Sequence, residues 1–150
     1  MKIRLYILTF SLLCLILGNG CTGQKLPPDL PELYPCQITI HDKDGKPMQT
    51  VLVSVNPVDP TNRWGGSGQT NASGIAEILT AGQYRGLSAG NYRVTLKAYE
   101  HTSTGKFDDT GNEIVHSKNL MPVEYTNSSS TPFQFEMEPK ATTLTFQLEK

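Results

Sequence analysis

The chain has 150 residues, with 13 basic and 14 acidic side chains, a formal charge of −1, 37% apolar and 18% charged residues, 13 Gly and 10 Pro. That profile excludes a helical bundle and a disordered chain and describes a loop-rich β protein. Setting aside the leader described next leaves about 130 residues, enough for one domain and too few for two, and removes Lys2 and Arg4, so that 11 basic face 14 acidic residues and no polybasic surface for nucleic acid remains.

Residues 1–20 open with Lys2 and Arg4, continue as an apolar run over 5–17 broken only by Thr9 and Ser11, and end in Gly18-Asn19-Gly20 before Cys21. This is the layout of a secretory signal. The run falls well short of the roughly 20 residues that a bilayer-spanning helix needs. Small residues directly before a Cys, followed by the polar Thr22-Gly23-Gln24-Lys25, resemble the lipobox of bacterial lipoproteins, which implies that Cys21 is lipidated and anchors the chain to a membrane. Gly18 and Gly20 also satisfy the small-x-small rule for ordinary cleavage, which would release a soluble protein. Lipidation is the favoured expectation, because ordinary cleavage gives no reason for a Cys at the junction. Thr22 stands where some bacteria place an inner-membrane retention Asp, so the outer membrane or periplasmic face of the envelope is the expected location. With Cys21 acylated, Cys36 is a single thiol; with Cys21 free, a Cys21–Cys36 disulfide stays open.

Residues 21–35 hold Pro27, Pro28, Pro31 and Pro35 and read as an extended tether. The domain proper is 36–150, with short alternating apolar stretches between Gly, Pro, Asn and Asp clusters. Ile38 and Ile40 alternate with Gln37, Thr39 and His41 as a first strand. Asp42-Lys43-Asp44-Gly45 then reads as a turn: a calcium loop would need a third acidic ligand and a Glu at its twelfth position, where Val53 stands. Val51, Val53 and Val55 form a second strand that Pro57 and Pro60 end. The Gly-rich stretch around Trp64 carries no clear pattern. Thr70-Asn71-Ala72-Ser73-Gly74 is a turn and 75–79 a strand interrupted by Glu77. Tyr92, Val94, Leu96 and Ala98, alternating with Arg93, Thr95, Lys97 and Tyr99, give the clearest period of two in the chain. Residues 100–118 are polar and long for a passive connection, a functional or mobile loop. Phe133, Phe135 and Met137, then Leu144, Phe146 and Leu148, read as two final strands forming a terminal hairpin around Pro139-Lys140. No window of the mature chain demands a helix. The expected architecture is all-β: an antiparallel two-sheet sandwich of about seven strands, transthyretin-like or immunoglobulin-like, following the signal peptide and the Pro-rich tether.

The order Asp44-Gly45-Lys46-Pro47, Asn56-Pro57-Val58, Thr70-Asn71-Ala72-Ser73-Gly74 and Leu87-Ser88-Ala89-Gly90-Asn91-Tyr92-Arg93-Val94 resembles the carboxypeptidase regulatory-like domain, over residues 36–98. Leu120-Met121-Pro122-Val123-Glu124-Tyr125 resembles the ending of small bacterial lipoproteins that carry this domain. The resemblance implies a transthyretin-like sandwich acting as a non-enzymatic module.

The residues that could carry chemistry point the same way. Tyr84-Arg85-Gly86 touches on the ending of the hydroxyisourate hydrolases, which share the transthyretin-like fold, but here it lies mid-chain and precedes a strand. His41, His101 and His116 lack ligand spacing, Asp108, Asp109 and Glu113 read as a solvated loop, no Ser has a nucleophile-elbow context, and Gly65-Gly66-Ser67-Gly68 lacks the Lys of a phosphate loop. No catalytic residue, metal or cofactor is therefore expected. Trp64, beside Asn62 and Arg63, could stack on a sugar ring or on a partner's apolar anchor, although a Trp in a sandwich more often belongs to the core. The first expectation is a lipid-anchored envelope lipoprotein whose sandwich serves structure or protein interaction; the alternative is a module for envelope or extracellular polysaccharide using Trp64, Tyr84 and Tyr99. A buried Trp64 favours the first, an exposed one beside a second aromatic the alternative.

Overall fold

The computed structural model describes residues 26–149; the leader and Cys21 lie outside them. The chain divides into two compact units, Met1–Leu30 and Pro31–Lys150. Of the first, the described part is a turn in which Leu30 N donates to the Pro27 carbonyl at 3.1 Å.

The second unit is an all-β sandwich. Its strands are β1 (Cys36–His41), β2 (Leu52–Pro57), β3 (Gly66–Gln69), β4 (Ile75–Glu77), β5 (Leu79–Thr80), β6 (Tyr84–Arg85), β7 (Gly90–Lys97), β8 (Tyr99–Phe107), β9 (Glu113–Asn119), β10 (Gln134–Met137) and β11 (Thr142–Gln147), with one helical turn, α1 (Val123–Thr126), between β9 and β10. One layer is the three-stranded sheet β11-β1-β4 and the other the six-stranded sheet β10-β7-β2-β3-β5-β6, while among the described residues β8 and β9 pair only with each other.

The alternation visible in the sequence becomes the core. Ile38 and Ile40 of the smaller sheet, and Val53, Val55, Tyr92, Val94 and Leu96 of the larger, are fully or almost fully buried, because successive side chains of a strand leave on opposite faces and the apolar set of each sheet meets the other. Phe133 bridges the layers: its ring stacks on Phe146 of β11 at 4.6 Å between centroids and on Tyr125 of α1 at 5.2 Å. Glycines let the sheets approach closely. A side chain at Gly66 would strike Ile78 and Leu87, and one at Gly68 the Glu77 carbonyl.

Four features differ from the sequence reading. Among the described residues the strands number eleven rather than about seven, because several are only two to four residues long. The stretch 75–79 is two strands in different sheets. Ile78, wholly buried, is the pivot: its N–H donates to the Cys36 carbonyl at 3.0 Å, and its own carbonyl accepts from Gly86 N at 2.8 Å. The last two strands are no hairpin, since β10 pairs antiparallel with β7, and β11 lies parallel to β1, Ile38 facing Leu144 and Ile40 facing Phe146. Finally, 100–118 is a long two-stranded hairpin. The chain is also tied to the sandwich before β1, by Tyr34 N to the Leu87 carbonyl (2.9 Å) and Leu87 N to the Tyr34 carbonyl (3.0 Å).

Candidate functional site

Two surface features stand out, and both grow from β7. The first is the hairpin. As β7 ends, the chain passes through Ala98, whose carbonyl accepts from Leu120 N at 2.8 Å, into β8 and back through β9. Every residue of β9 is exposed, and every residue of β8 but one. The register places Tyr99, His101, Phe107 and Val115 on one face and Glu100, Lys106, Ile114 and Lys118 on the other, two extra residues between Ser103 and Lys106 forming a bulge. On the first face the Tyr99 and His101 rings stack at 6.2 Å, His101 Nδ1 meets Ser117 Oγ at 2.8 Å, and the Ser103 hydroxyl donates to Glu113. The tip is a rigid turn: Asp108 Oδ1 accepts from Thr110 Oγ1 at 2.7 Å, Asn112 N at 2.8 Å and Thr110 N at 2.9 Å, and these bonds, that from the Thr110 hydroxyl above all, hold the Asp108 carboxyl below its usual range.

The second feature is a cleft of about 580 Å³ on the outer face of the larger sheet, lined by Ser54 and Asn56 of β2, Thr95 and Lys97 of β7, Asn119 at the hairpin base, and Val123, Thr126, Asn127 and Ser128 of the connection that follows. These residues meet because Ser54 lies opposite Thr95 in the β2–β7 register, and because Met121 and Tyr125 are buried in the core, which pins the β9–α1–β10 connection across the sheet.

The aromatic residues expected to bind a ligand are dispersed. Trp64 is half-buried in the β2–β3 connection, its ring 5.0 Å from the Arg63 guanidinium and its backbone N–H donating to Asn62 Oδ1 at 2.9 Å. Tyr84 is half-buried on β6, at the edge of the larger sheet, and Tyr99 is exposed on the separate hairpin. None of the three lines the cleft. The cleft's own residues carried no signal in sequence beyond their outward position on the strands.

The other chemical candidates are resolved locally. Asp42 Oδ1 accepts from Asp44 N (2.9 Å) and Lys46 N (2.8 Å), so the Asp-rich stretch is a hydrogen-bonded turn. Arg85 of the Tyr-Arg-Gly tripeptide donates through Nε to Glu77 at 2.6 Å. Among the described residues no three His, Cys, Asp or Glu side chains gather to hold a metal ion, and no helix is long and apolar enough to cross a membrane.

Cys36 is 1% exposed, and burial pushes its thiol from the ordinary 9.0 up to about 11. The folded chain thus keeps a proton that the unfolded chain surrenders, and stability contributed by the neutral thiol is lost as pH rises from about 9 towards 11. Urea unfolding across that range is expected to show stability falling with pH, and Cys36→Ala to flatten that part of the slope; an unchanged slope would remove the thiol from the account.

Comparison with family models and with curated proteins finds no match. Among solved structures, a 9R-lipoxygenase from Cyanothece PCC8801 aligns at a TM-score of 0.41 and 13% identity over 84% of this chain, which spans 18% of that enzyme's length. A likeness of that size bears on neither fold nor chemistry.

Proposed function

We propose that this is a lipid-anchored protein of the bacterial cell envelope whose sandwich presents the β8–β9 hairpin to a protein partner, without catalysis. The observation that carries the reading is the hairpin itself. A two-stranded ribbon is marginal in water unless a layer covers it, and among the described residues none covers either face of this one, while Tyr99, Phe107, Ile114 and Val115 are 44–66% exposed. Leu120 and Val123, 53% and 77% exposed, follow in the adjoining chain. Isolated exposed apolar side chains are ordinary, but a group of them on one projecting ribbon marks an interaction surface. The Asp108 turn favours a preformed ribbon over one ordered on binding, which lowers the entropy cost of docking. The anchor half of the reading rests on the signal-like leader and Cys21.

The test is photo-crosslinking in cells, with a photoreactive residue at Phe107 or Val115 and a control at Thr143 on the exposed face of β11. A discrete protein adduct is expected from both hairpin positions and not from the control, on a chain whose intact mass after membrane extraction carries an acyl group at Cys21. Identical adduct patterns from hairpin and control would remove the interaction reading; an unacylated N-terminus would remove the anchor. Replacing 100–118 with a tight turn should alter the sandwich's stability by no more than about 0.5 kcal/mol, since the hairpin contributes nothing to the core.

A further inference from the structure

The cleft on the outer face of the larger sheet is chemically distinct from the hairpin. Its nine lining residues include one apolar side chain, the exposed Val123, and no carboxylate. Its volume lies within the roughly 300–1,000 Å³ of small-molecule sites.

The hydrogen bonds that shape the walls use up acceptors and leave donors. Asn127 Oδ1 is occupied by Ser129 N and Ser129 Oγ, both at 2.9 Å, and Asn119 Oδ1 by Met121 N at 3.1 Å. Each amide is thereby oriented with its NH2 group unused among the described residues. The Lys97 ammonium and the Ser54 hydroxyl have no partner among the described residues. A second cation borders the wall: Arg93 faces Asn56 across the β2–β7 register and donates through Nη1 to the Ser128 carbonyl at 3.3 Å, while its Nε is buried without a partner. A buried donor without a partner, here Arg93 Nε, is costly, and a cleft with one cation in its lining, a second at its border, two amide NH2 groups and hydroxyls matches a ligand rich in acceptors. The amide and hydroxyl groups come from β2, β7, β9 and the α1–β10 connection, and such a spread suits a ligand with acceptors over its body, as on a sugar ring, better than a compact anion.

We propose that this cleft binds an acidic sugar unit of a polysaccharide, its carboxylate meeting the Lys97 ammonium and its ring hydroxyls meeting the Asn119 and Asn127 amides and the Ser54 hydroxyl. The charge-assisted bond to Lys97 supplies the preference for an acidic over a neutral sugar, and the lack of an aromatic platform makes recognition depend on hydrogen bonds. The site shares with the hairpin only Asn119 at its base, so it stands whether or not the hairpin docks a protein.

Calorimetric titration of the full chain, as cells process it, tests this with trimers of galacturonate, glucuronate and mannuronate, the neutral galactose trimer, and inorganic phosphate. At least one uronate trimer is expected to bind, with the neutral trimer about tenfold weaker or more. Lys97→Met is expected to weaken the uronate about tenfold, and Lys97→Arg to restore it; Lys97 is exposed, so neither change threatens folding. The proposal is overturned if no uronate binds, if the neutral trimer binds as well, if phosphate at equal concentration displaces the uronate and so reveals a bare anion site, or if Lys97→Met leaves affinity unchanged.

Discussion

Gly86→Ala is expected to remove about 3–5 kcal/mol of folding stability, the largest loss for the addition of one methyl group anywhere in the sandwich. Gly86 sits at φ +97°, and a Cβ there would overlap the Tyr34 carbonyl and reach within 3.0 Å of Pro35 N. The obstacles are backbone atoms, which cannot swing aside as the end of a side chain would. The left-handed backbone alone costs about 1–2 kcal/mol for a residue with a Cβ. The rest comes from three anchors that meet at this point: Gly86 N to the Ile78 carbonyl at 2.8 Å, Thr80 Oγ1 to the Gly86 carbonyl at 2.7 Å, and the paired bonds between Tyr34 and Leu87. Moving Tyr34 away breaks the last pair and leaves buried groups without partners, at about 1 kcal/mol or more each. Gly82 supplies the control, with φ +72° and nothing within 4 Å of its added Cβ, so Gly82→Ala should cost only the backbone share. Equal losses for the two variants in urea unfolding would show that the close approach of Tyr34 contributes nothing.

The same region shows how far the sequence could be read. Alternation identified the buried faces of β1, β2 and β7 because each has one wet and one dry side, and Ile38, Ile40, Val53, Val55, Tyr92, Val94 and Leu96 are buried as expected. Alternation says nothing of which strand lies beside which. Phe133–Met137 and Leu144–Leu148 have the pattern of a hairpin, yet the chain crosses between layers at Pro139-Lys140, and β11 finds its partner in β1, about a hundred residues earlier. Pairing of that kind is decided by distant packing, here the Phe133–Phe146 stack across the layers. Residues 100–118 were illegible for the opposite reason: a ribbon with water on both faces is under no pressure to alternate, and its mixture of Thr, Ser, Lys and Glu resembles a loop. The cleft was hidden because its walls come from β2, β7 and the β9–α1–β10 connection, each of which reads separately as a polar outer face.

Tyr92 should separate packing from hydrogen bonding in a single position. Its ring is wholly buried, packed against Phe135 at 5.7 Å between centroids, and its hydroxyl meets Ser88 Oγ at 2.8 Å and donates to the Ser88 carbonyl at 3.0 Å, while Asn62 Nδ2 lies 3.4 Å away. Tyr92→Ala deletes a large side chain between two closed layers and should cost about 3–5 kcal/mol. Tyr92→Phe keeps the ring and removes only the hydroxyl, for about 1–2 kcal/mol, because the Ser88 groups lose a buried partner. The milder variant has a second, local consequence. Asn62 Oδ1 also accepts the Trp64 backbone N–H, so the hydroxyl at the sandwich floor helps to fix the connection that carries Trp64 and Arg63. Removing it should loosen that connection and shift the fluorescence of Trp64, the one Trp of the chain, before any global unfolding. Ser88→Ala removes the hydroxyl's nearest partner and should produce the same shift with a similar loss. If Tyr92→Phe leaves the emission unchanged while Tyr92→Ala destabilises as expected, the Tyr92 hydroxyl serves the core alone, and the Trp64 connection is held by its own contacts.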